Sequence, residues 1–427
     1  MIDAGPRLRA LAACLLASVV VWPGAARAQT GGTSPGRRVP PLAQLSASYT
    51  ADFVAVADAK ETHGAVLGDG TAELRLNVVR ADLPGTHVLL KVLSNHGGAP
   101  SNFLGDIQGV DNIEAPAAVH LYEAWIEHTF GRNDWSVLAG FYDLNSEFDA
   151  ANTSSVFVNS SFGVGAGLGQ SGRRGPSIFP TTSLGLRIRA APTVHSYAEL
   201  AVLDGVPGAV ANGLPSAPLS RADGALLVAE AGYEGPGLSG VPATGPTPAR
   251  PRRRRARRAA AALAGSKLAL GAWVYTGWLP APGAASGQPV VHGSFGAYAF
   301  DETWLYRRPF NPGQGLRAWL RLGMTAGRAD PVRFFTGAAL TYTGLLQPND
   351  VAGLGVVSAV ASAAYRDTLV RRLERPGHAE TALELTWQLA IGERFFVQPD
   401  IQLVLDPLAD PARRNGAFVG LRVGASL

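Results

Sequence analysis

The stretch Ala382 to Ile391 alternates without a break. Leu383, Leu385, Trp387, Leu389 and Ile391 are apolar, and Glu384, Thr386 and Gln388 stand polar between them. Successive side chains of a strand point to opposite faces, so this segment has one oily side and one wet side. A short Gly392-Glu393 turn follows, and the pattern resumes. Phe395, Val397, Ile401, Leu403 and Leu405 share one face, while Gln398, Asp400 and Gln402 share the other. The last stretch sets Val419, Leu421, Val423, Ala425 and Leu427 against Arg422. Three such strands in a row need an apolar medium on one face and water on the other. A strand between lipid and a wet lumen meets both.

The same parity recurs upstream. Leu45, Ala47, Tyr49, Ala51 and Phe53 alternate with Gln44, Ser46, Ser48, Thr50 and Asp52. Leu184, Leu186 and Ile188 oppose Arg187 and Arg189, and Leu316, Ala318, Leu320 and Leu322 oppose Arg317, Trp319 and Arg321. The pattern predicts strands over 42–57, 71–82, 86–94, 119–130, 134–142, 182–190, 195–203, 224–233, 266–278, 293–300, 315–326, 333–344, 352–364, 380–391, 394–406 and 416–427. That even set predicts an all-β fold, a transmembrane antiparallel β-barrel of about 16 strands. Downstream of residue 28 no apolar run reaches the roughly 18 residues of a membrane helix.

The N-terminus predicts export. Arg7 and Arg9 precede an apolar run from Leu11 to Trp22, and Ala26-Arg27-Ala28 is a small-x-small cleavage site. Residues 1–28 read as a signal peptide, 29–41 as an N-terminal segment and 42–427 as the barrel. The single cysteine, Cys14, lies in the leader, so the mature chain has no disulfide and no thiolate chemistry. A closed barrel tolerates this because its backbone groups pair with one another.

The formal charge of +4 comes from local runs of arginine. Without the leader and the seven arginines of Arg250 to Arg258, 27 basic residues face 32 acidic ones, a net of −5. A nucleic-acid binder would spread its basic surface over the fold, so that class is excluded. The segment 235–265 reads as a low-complexity Arg-rich insertion held open by like-charge repulsion; a contact for an anionic partner is the alternative.

Connection lengths predict sidedness. With a periplasmic N-terminus, the turns at Gly131-Arg132-Asn133, Ala191-Pro192 and Gly392-Glu393 are periplasmic and short. Residues 143–181 then form a long extracellular loop. Its length lets it fold into the lumen and narrow it, which makes Asp143, Asn145 and Glu147 candidates for the constriction.

No catalytic constellation is visible. The eight histidines are scattered, and no HExxH, GxSxG or P-loop occurs. His120 and His128 are eight strand residues apart, about 26 Å, too far for a shared metal. The chain is read as a non-enzyme without a cofactor. The wet faces are more informative. They collect Arg75, Lys91, Glu123, Trp125, Glu127, Arg187, Arg189, Glu199, Arg317, Trp319, Arg321, Glu384, Gln388, Gln398, Asp400, Gln402 and Arg422 as candidates to line a pore. Both charge signs, amides and tryptophan together suit an uncharged polyhydroxylated solute. A lumen of one sign would suit an ion. The bland alternative is that these groups pair with each other and solvate a water-filled channel.

Several strings resemble the carbohydrate-selective porins of the OprB family. They are Leu121-Tyr-Glu-Ala-Trp-Ile-Glu127, Gly140-Phe-Tyr-Asp-Leu-Asn-Ser-Glu-Phe148, Ile178-Phe-Pro180 and Leu184-Gly-Leu-Arg187. Further on come Gly271-Ala-Trp-Val-Tyr-Thr-Gly277, Gly315-Leu-Arg-Ala-Trp-Leu-Arg321 and Leu340-Thr-Tyr-Thr-Gly-Leu345. Glu380 with Glu384-Leu-Thr-Trp387, and Val397-Gln-Pro-Asp-Ile-Gln402, match best. The resemblance spans about residues 42–427. It implies a sixteen-stranded outer-membrane barrel that passes small sugars passively, with outer-membrane lipid and the barrel-assembly machinery as partners and a homo-oligomer as an open option. A general or differently selective porin is the alternative within transport. An outer-membrane barrel hydrolase is the alternative of another class.

Overall fold

A computed structural model describes residues 42–58, 60–78, 85–131, 134–208, 210–211, 213–215, 220–236, 265–281, 290–371, 377–408 and 415–427. The expected leader, residues 29–41 and the Arg run lie outside the described residues.

Sixteen strands close into one antiparallel barrel. They are β1 (Ala43–Ala57), β2 (Thr62–Asn77), β3 (Thr86–Gly97), β4 (Ala118–Phe130), β5 (Trp135–Tyr142), β6 (Ser183–Ala190) and β7 (Ser196–Asp204), then β10 (Ala225–Pro236), β11 (Gly265–Pro280), β12 (Val290–Arg308), β13 (Asn311–Thr325), β14 (Val332–Thr343), β15 (Val351–Ala361), β16 (Ala379–Ile391), β17 (Phe395–Leu405) and β18 (Gly416–Ser426). The tiny ribbon β8 (Val210–Ala211) and β9 (Leu214–Pro215) stands apart, in the loop after β7. Each barrel strand pairs with its neighbour in sequence, and β18 closes on β1 from Ser48↔Ser426 to Ala57↔Ala417. Closure leaves no strand edge exposed to lipid, where an unpaired N–H or C=O would cost several kcal/mol. No helix among the described residues is long and apolar enough to cross a membrane.

Two strands outrun the expectation by the most, β2 and β12. β2 begins at Thr62, nine residues before 71. Its first part is rich in glycine and weak in strand propensity, but β1 supplies a complete ladder from Ala57↔Thr62 onward. The hairpin is fixed by Asp58, whose carboxylate accepts the N–H groups of Lys60 and Glu61 at 2.8 and 2.9 Å. β12 runs to Arg308, beyond 300, with irregularities in its pairing to β13 near Trp304/Tyr306. Conversely, the expected strand to 364 stops at Ala361, and a short helix, α1 (Ala363–Arg371), takes over. The segment 235–265 is also flanked differently: Gly235 and Pro236 end β10, and Gly265 opens β11.

The outer wall follows the alternation. Leu383, Leu385, Ile391, Ile401, Leu403, Val419 and Leu421 are exposed, as a lipid-facing surface requires. Trp135 and Phe130 flank the turn at 131–134, and Trp278 and Phe295 stand at the opposite end, a placement of aromatics that suits the two membrane interfaces. Connections at one end are short, such as 309–310 and 392–394; those at the other include 98–117 and 143–182. The long end is extracellular by the length rule for bacterial barrels.

Candidate pore constriction

The loop 143–182 folds inward and lies along the inner wall. Its course is set by wall acids that accept successive backbone N–H groups. Glu123 on β4 accepts from Asp143 at 3.2 Å. Glu230 on β10 accepts from Asp149 at 2.8 Å. Glu302 on β12 accepts from Thr153 at 2.6 Å and from the Asn152 amide at 3.1 Å. Glu384 on β16 accepts from Val158 and Asn159 at 2.6 and 3.0 Å. The loop therefore travels around the barrel in chain order, pegged at each acid. A carboxylate that accepts two amide protons makes charge-assisted bonds, roughly twice as strong as neutral ones.

Wall bases and amides take the loop's carbonyls. Arg321 on β13 pairs with Asp149 at 3.0 Å, and its guanidinium donates to the carbonyls of Asp149, Ser161, Phe162 and Gly163. Lys267 on β11 donates to the Ala150 carbonyl at 2.8 Å. Gln398 on β17 donates to the Val156 carbonyl at 2.6 Å. Only a planar fork with five donors can hold so many acceptors at once. Burial pushes the Asp149 carboxyl up to about 6, against the pull of Arg321.

Apolar packing seals the same strip. Phe157 stacks on Phe162 at 4.1 Å between centroids, and Phe162 leans on Trp319 at 5.8 Å. The facing wall of β15 is Gly353 and Gly355. A Cβ at Gly355 would come within 2.5 Å of the Phe162 ring, so the glycine makes the seat for the loop.

A second inward segment, 98–117, begins with a short helix, Pro100–Leu104. Glu380 on β16 accepts the N–H groups of Ile107, Gln108 and Leu408. Arg422 on β18 binds Asp52 on β1 in two places and reaches Asp111 at 3.3 Å and the Asn112 amide oxygen at 2.7 Å. Burial raises the Asp111 carboxyl well above its ordinary value, and the nearby Asp52 adds to this. The two loops also join each other, Ser160 N–H to Gly109 O at 2.8 Å and Asn112 N–H to Val158 O at 2.8 Å.

All seventeen strand candidates face inward, but their surroundings differ. Arg187 is fully buried between Glu127 at 2.9 Å and Glu147 at 2.6 Å. Asn145 donates its amide to the Phe148 and Asp149 carbonyls, and Asp143 caps the turn at Asn145. Trp319, Arg321, Glu384, Gln398, Gln402 and Arg422 are buried beneath the two loops; Gln402 donates to the Val110 carbonyl and to Asp400. Arg75, Lys91, Trp125, Arg189, Arg317 and Gln388 keep part of their surface uncovered. Lys91 lies 5.1 Å over the Tyr122 ring, Arg189 lies 4.2 Å over Tyr197 and binds Glu199, and Gln388 donates to Gln398.

Sequence reasoning passed over Asp52, Asp149, Glu230, Lys267 and Glu302 as site residues. Glu230 and Lys267 lie within the strands read at 224–233 and 266–278, and Glu302 two residues past the one at 293–300, so the inward parity of those strands reaches all three. Tyr122 was hidden for another reason. Lys91 pairs with Glu123 and Val92 with Leu121, so a bulge sets Tyr122 out of register and turns it inward beside Glu123.

Comparison with known proteins bears on this arrangement. The family model of the carbohydrate-selective porin, OprB family, matches residues 65–427. Among solved structures, the high-pH structure of Pseudomonas putida OprB superposes with a TM-score of 0.74 at 15% identity, covering 90% of this chain and 94% of that one. Its low-pH structure gives 0.55 at 11% identity, covering 90% and 92%. The outer membrane channel DcaP of Acinetobacter baumannii gives 0.51 at 8% identity, covering 90% and 97%. At these identities the structural likeness speaks for the fold. Among curated proteins none matches the chain in sequence.

Proposed function

The chain belongs to the carbohydrate-selective porin family OprB, and on that premise we propose that sugars cross beside the docked loop, along the uncovered wall of Arg75, Lys91, Trp125, Arg189, Arg317 and Gln388. The protein is a passive outer-membrane channel, not an enzyme. The observation that carries the route is the ordered pegging of 143–182 by Glu123, Glu230, Glu302 and Glu384, which takes one part of the wall out of the lumen and leaves another open. Along the open part, guanidinium and ammonium groups donate to sugar hydroxyls, and Trp125 offers a ring face to the apolar side of a pyranose. Such contacts are strong enough to admit a sugar and weak enough to release it.

The leader 1–28 directs export and is removed, and the barrel then inserts with the assembly machinery into outer-membrane lipid. The purified protein in planar bilayers is expected to show discrete conductance steps that fall when a mono- or disaccharide is added. Current indifferent to every sugar would instead mark a general porin.

A further inference from the structure

The extracellular rim above β13 to β16 carries arginines at the edge of the lipid-facing wall. β13 climbs from the short turn at 309–310, so the connection 326–331 lies at the extracellular end, as does 362–378 between β15 and β16. The two connections meet. The Ser362 N–H donates to the Pro331 carbonyl at 2.8 Å. Gly327 sits between them, and a Cβ there would stand 3.0 Å from the Arg333 Cδ and 3.4 Å from the Ser362 Cβ. Arg328 is exposed beside it. Arg333 stands at the register shift between Val332 and Phe334, with its guanidinium 5.2 Å from the Phe334 ring, which is 46% exposed on the outer wall. Arg366 on α1 donates to the His378 Nδ1 at 3.1 Å. Among the described residues none of these three has an acid within ion-pairing distance, whereas the inner-wall Arg187, Arg321 and Arg422 each have one. The acids of this corner are few. Asp330 is buried and holds the Ser294 hydroxyl, and Glu380 is buried against 107–108. Asp367 and Asp406 are exposed, against the three arginines and the exposed Arg371.

We propose that this corner is a headgroup site for a phosphorylated glycolipid of the outer leaflet, its phosphate held by Arg328, Arg333 and Arg366. A guanidinium fork matches two phosphate oxygens at once. Basic side chains at a membrane surface draw anionic headgroups. The outer wall below is graded to suit such a lipid. Thr336, Ser358 and Thr381 form one outward row across β14 to β16, with the Ser358 and Thr381 hydroxyls 2.9 Å apart. Beneath that row the outward residues are apolar, among them Leu354, Leu383 and Leu385. Charge, then hydroxyl, then hydrocarbon is the order of phosphate, sugar and acyl chain in a glycolipid. A free phosphate would use the arginines alone, but a tethered one also covers the wall beneath them. The inference concerns the outside of the barrel and goes beyond passage through its lumen.

The test is native mass spectrometry of the whole protein in mild detergent, titrated with bis-phosphorylated lipid A, with the same lipid stripped of its phosphates, and with inorganic phosphate. The protein is expected to retain the phosphorylated lipid. Arg328→Gln and Arg366→Gln should each weaken retention about fivefold, and together about twenty-fivefold. Both variants should keep heat-modifiable migration and channel conductance. Arg328 has no partner among the described residues, so its variant decides the matter even if the double variant fails to fold. Equal retention by the protein and by Arg328→Gln, or equal retention of the phosphate-free lipid, overturns the inference and leaves the porin standing. Displacement of the lipid by an equal concentration of inorganic phosphate also overturns it, since the site would then hold an ion and not a lipid.

Discussion

Arg317 and Arg321 lie four residues apart on the same inward face of β13, and their surroundings are opposite. Arg321 is sealed beneath the inserted loop, bound to Asp149 and to the carbonyls of Asp149, Ser161, Phe162 and Gly163. Arg317 rests over Trp304 with part of its side chain uncovered, 3.5 Å from Glu302. One residue type on one strand face is thus sealed as a structural clamp in one place and left partly uncovered in another. What separates them is whether a connection from elsewhere in the chain lies on top. An inward charge in a barrel is therefore a pore residue only after the loops have been placed.

Replacing each arginine by alanine tests the contrast most strongly. Arg321→Ala strands the buried Asp149 carboxylate and the loop carbonyls, a loss of about 3–5 kcal/mol for breaking a buried pair. The loop should come off the wall, and single-channel conductance should rise severalfold. Arg317→Ala should alter selectivity and cost less, about 1–3 kcal/mol, because the buried Glu302 keeps the Thr153 N–H and the Asn152 amide as partners. Equal stability losses in the two variants would erase the distinction between clamp and surface.

Glu384→Ala is expected to have an intermediate effect. It leaves the Val158 and Asn159 N–H groups without their acceptor, at about 1–3 kcal/mol for buried donors left unsatisfied. Proteolysis within 155–165 should quicken while heat-modifiable migration of the barrel stays unchanged. Loss of that migration would show that the loop and the barrel are one cooperative unit.

The smallest effect is on pH. The Asp149 carboxyl is raised from 3.8 to about 6 when the loop is docked, chiefly by burial. The docked state therefore favours the protonated acid. Its contribution is fully present below 3.8 and is lost as pH rises through about 6. Hydrogen exchange in 145–165, corrected for intrinsic rates, should be slower at pH 5 than at pH 7.5, and Asp149→Asn should abolish the difference. Slower exchange at the higher pH would mean that the Arg321 pair, and not burial, dominates at this site.

The wall was legible in the chain. Strands with strong alternation, such as β16, β17 and β6, stand within a residue or so of where the sequence puts them. Weakly patterned stretches were not legible, because Thr62 to Gly70 is a strand only by virtue of its pairing with β1. The bulge at Tyr122 was equally hidden, since it changes parity without changing composition. For the constriction, the sequence located the loop through its length alone. Nothing in Glu230 or Glu302 announces that a backbone amide some 80 to 150 residues away in the chain will occupy it.

By itself the sequence determined that the chain is a membrane barrel and which side chains turn inward, because a period of two with one apolar face has few other solutions. Its count of mixed charges pointed to a neutral passenger. Only the tertiary structure decided which of those charges meet the lumen. Glu230 and Glu302 are held by loop N–H groups, while Arg189 and Arg317 lie over aromatic rings with part of their side chains uncovered. Parity is a local property of the backbone. Exposure depends on what a distant segment covers, and that is settled by closure of the barrel around its own loop.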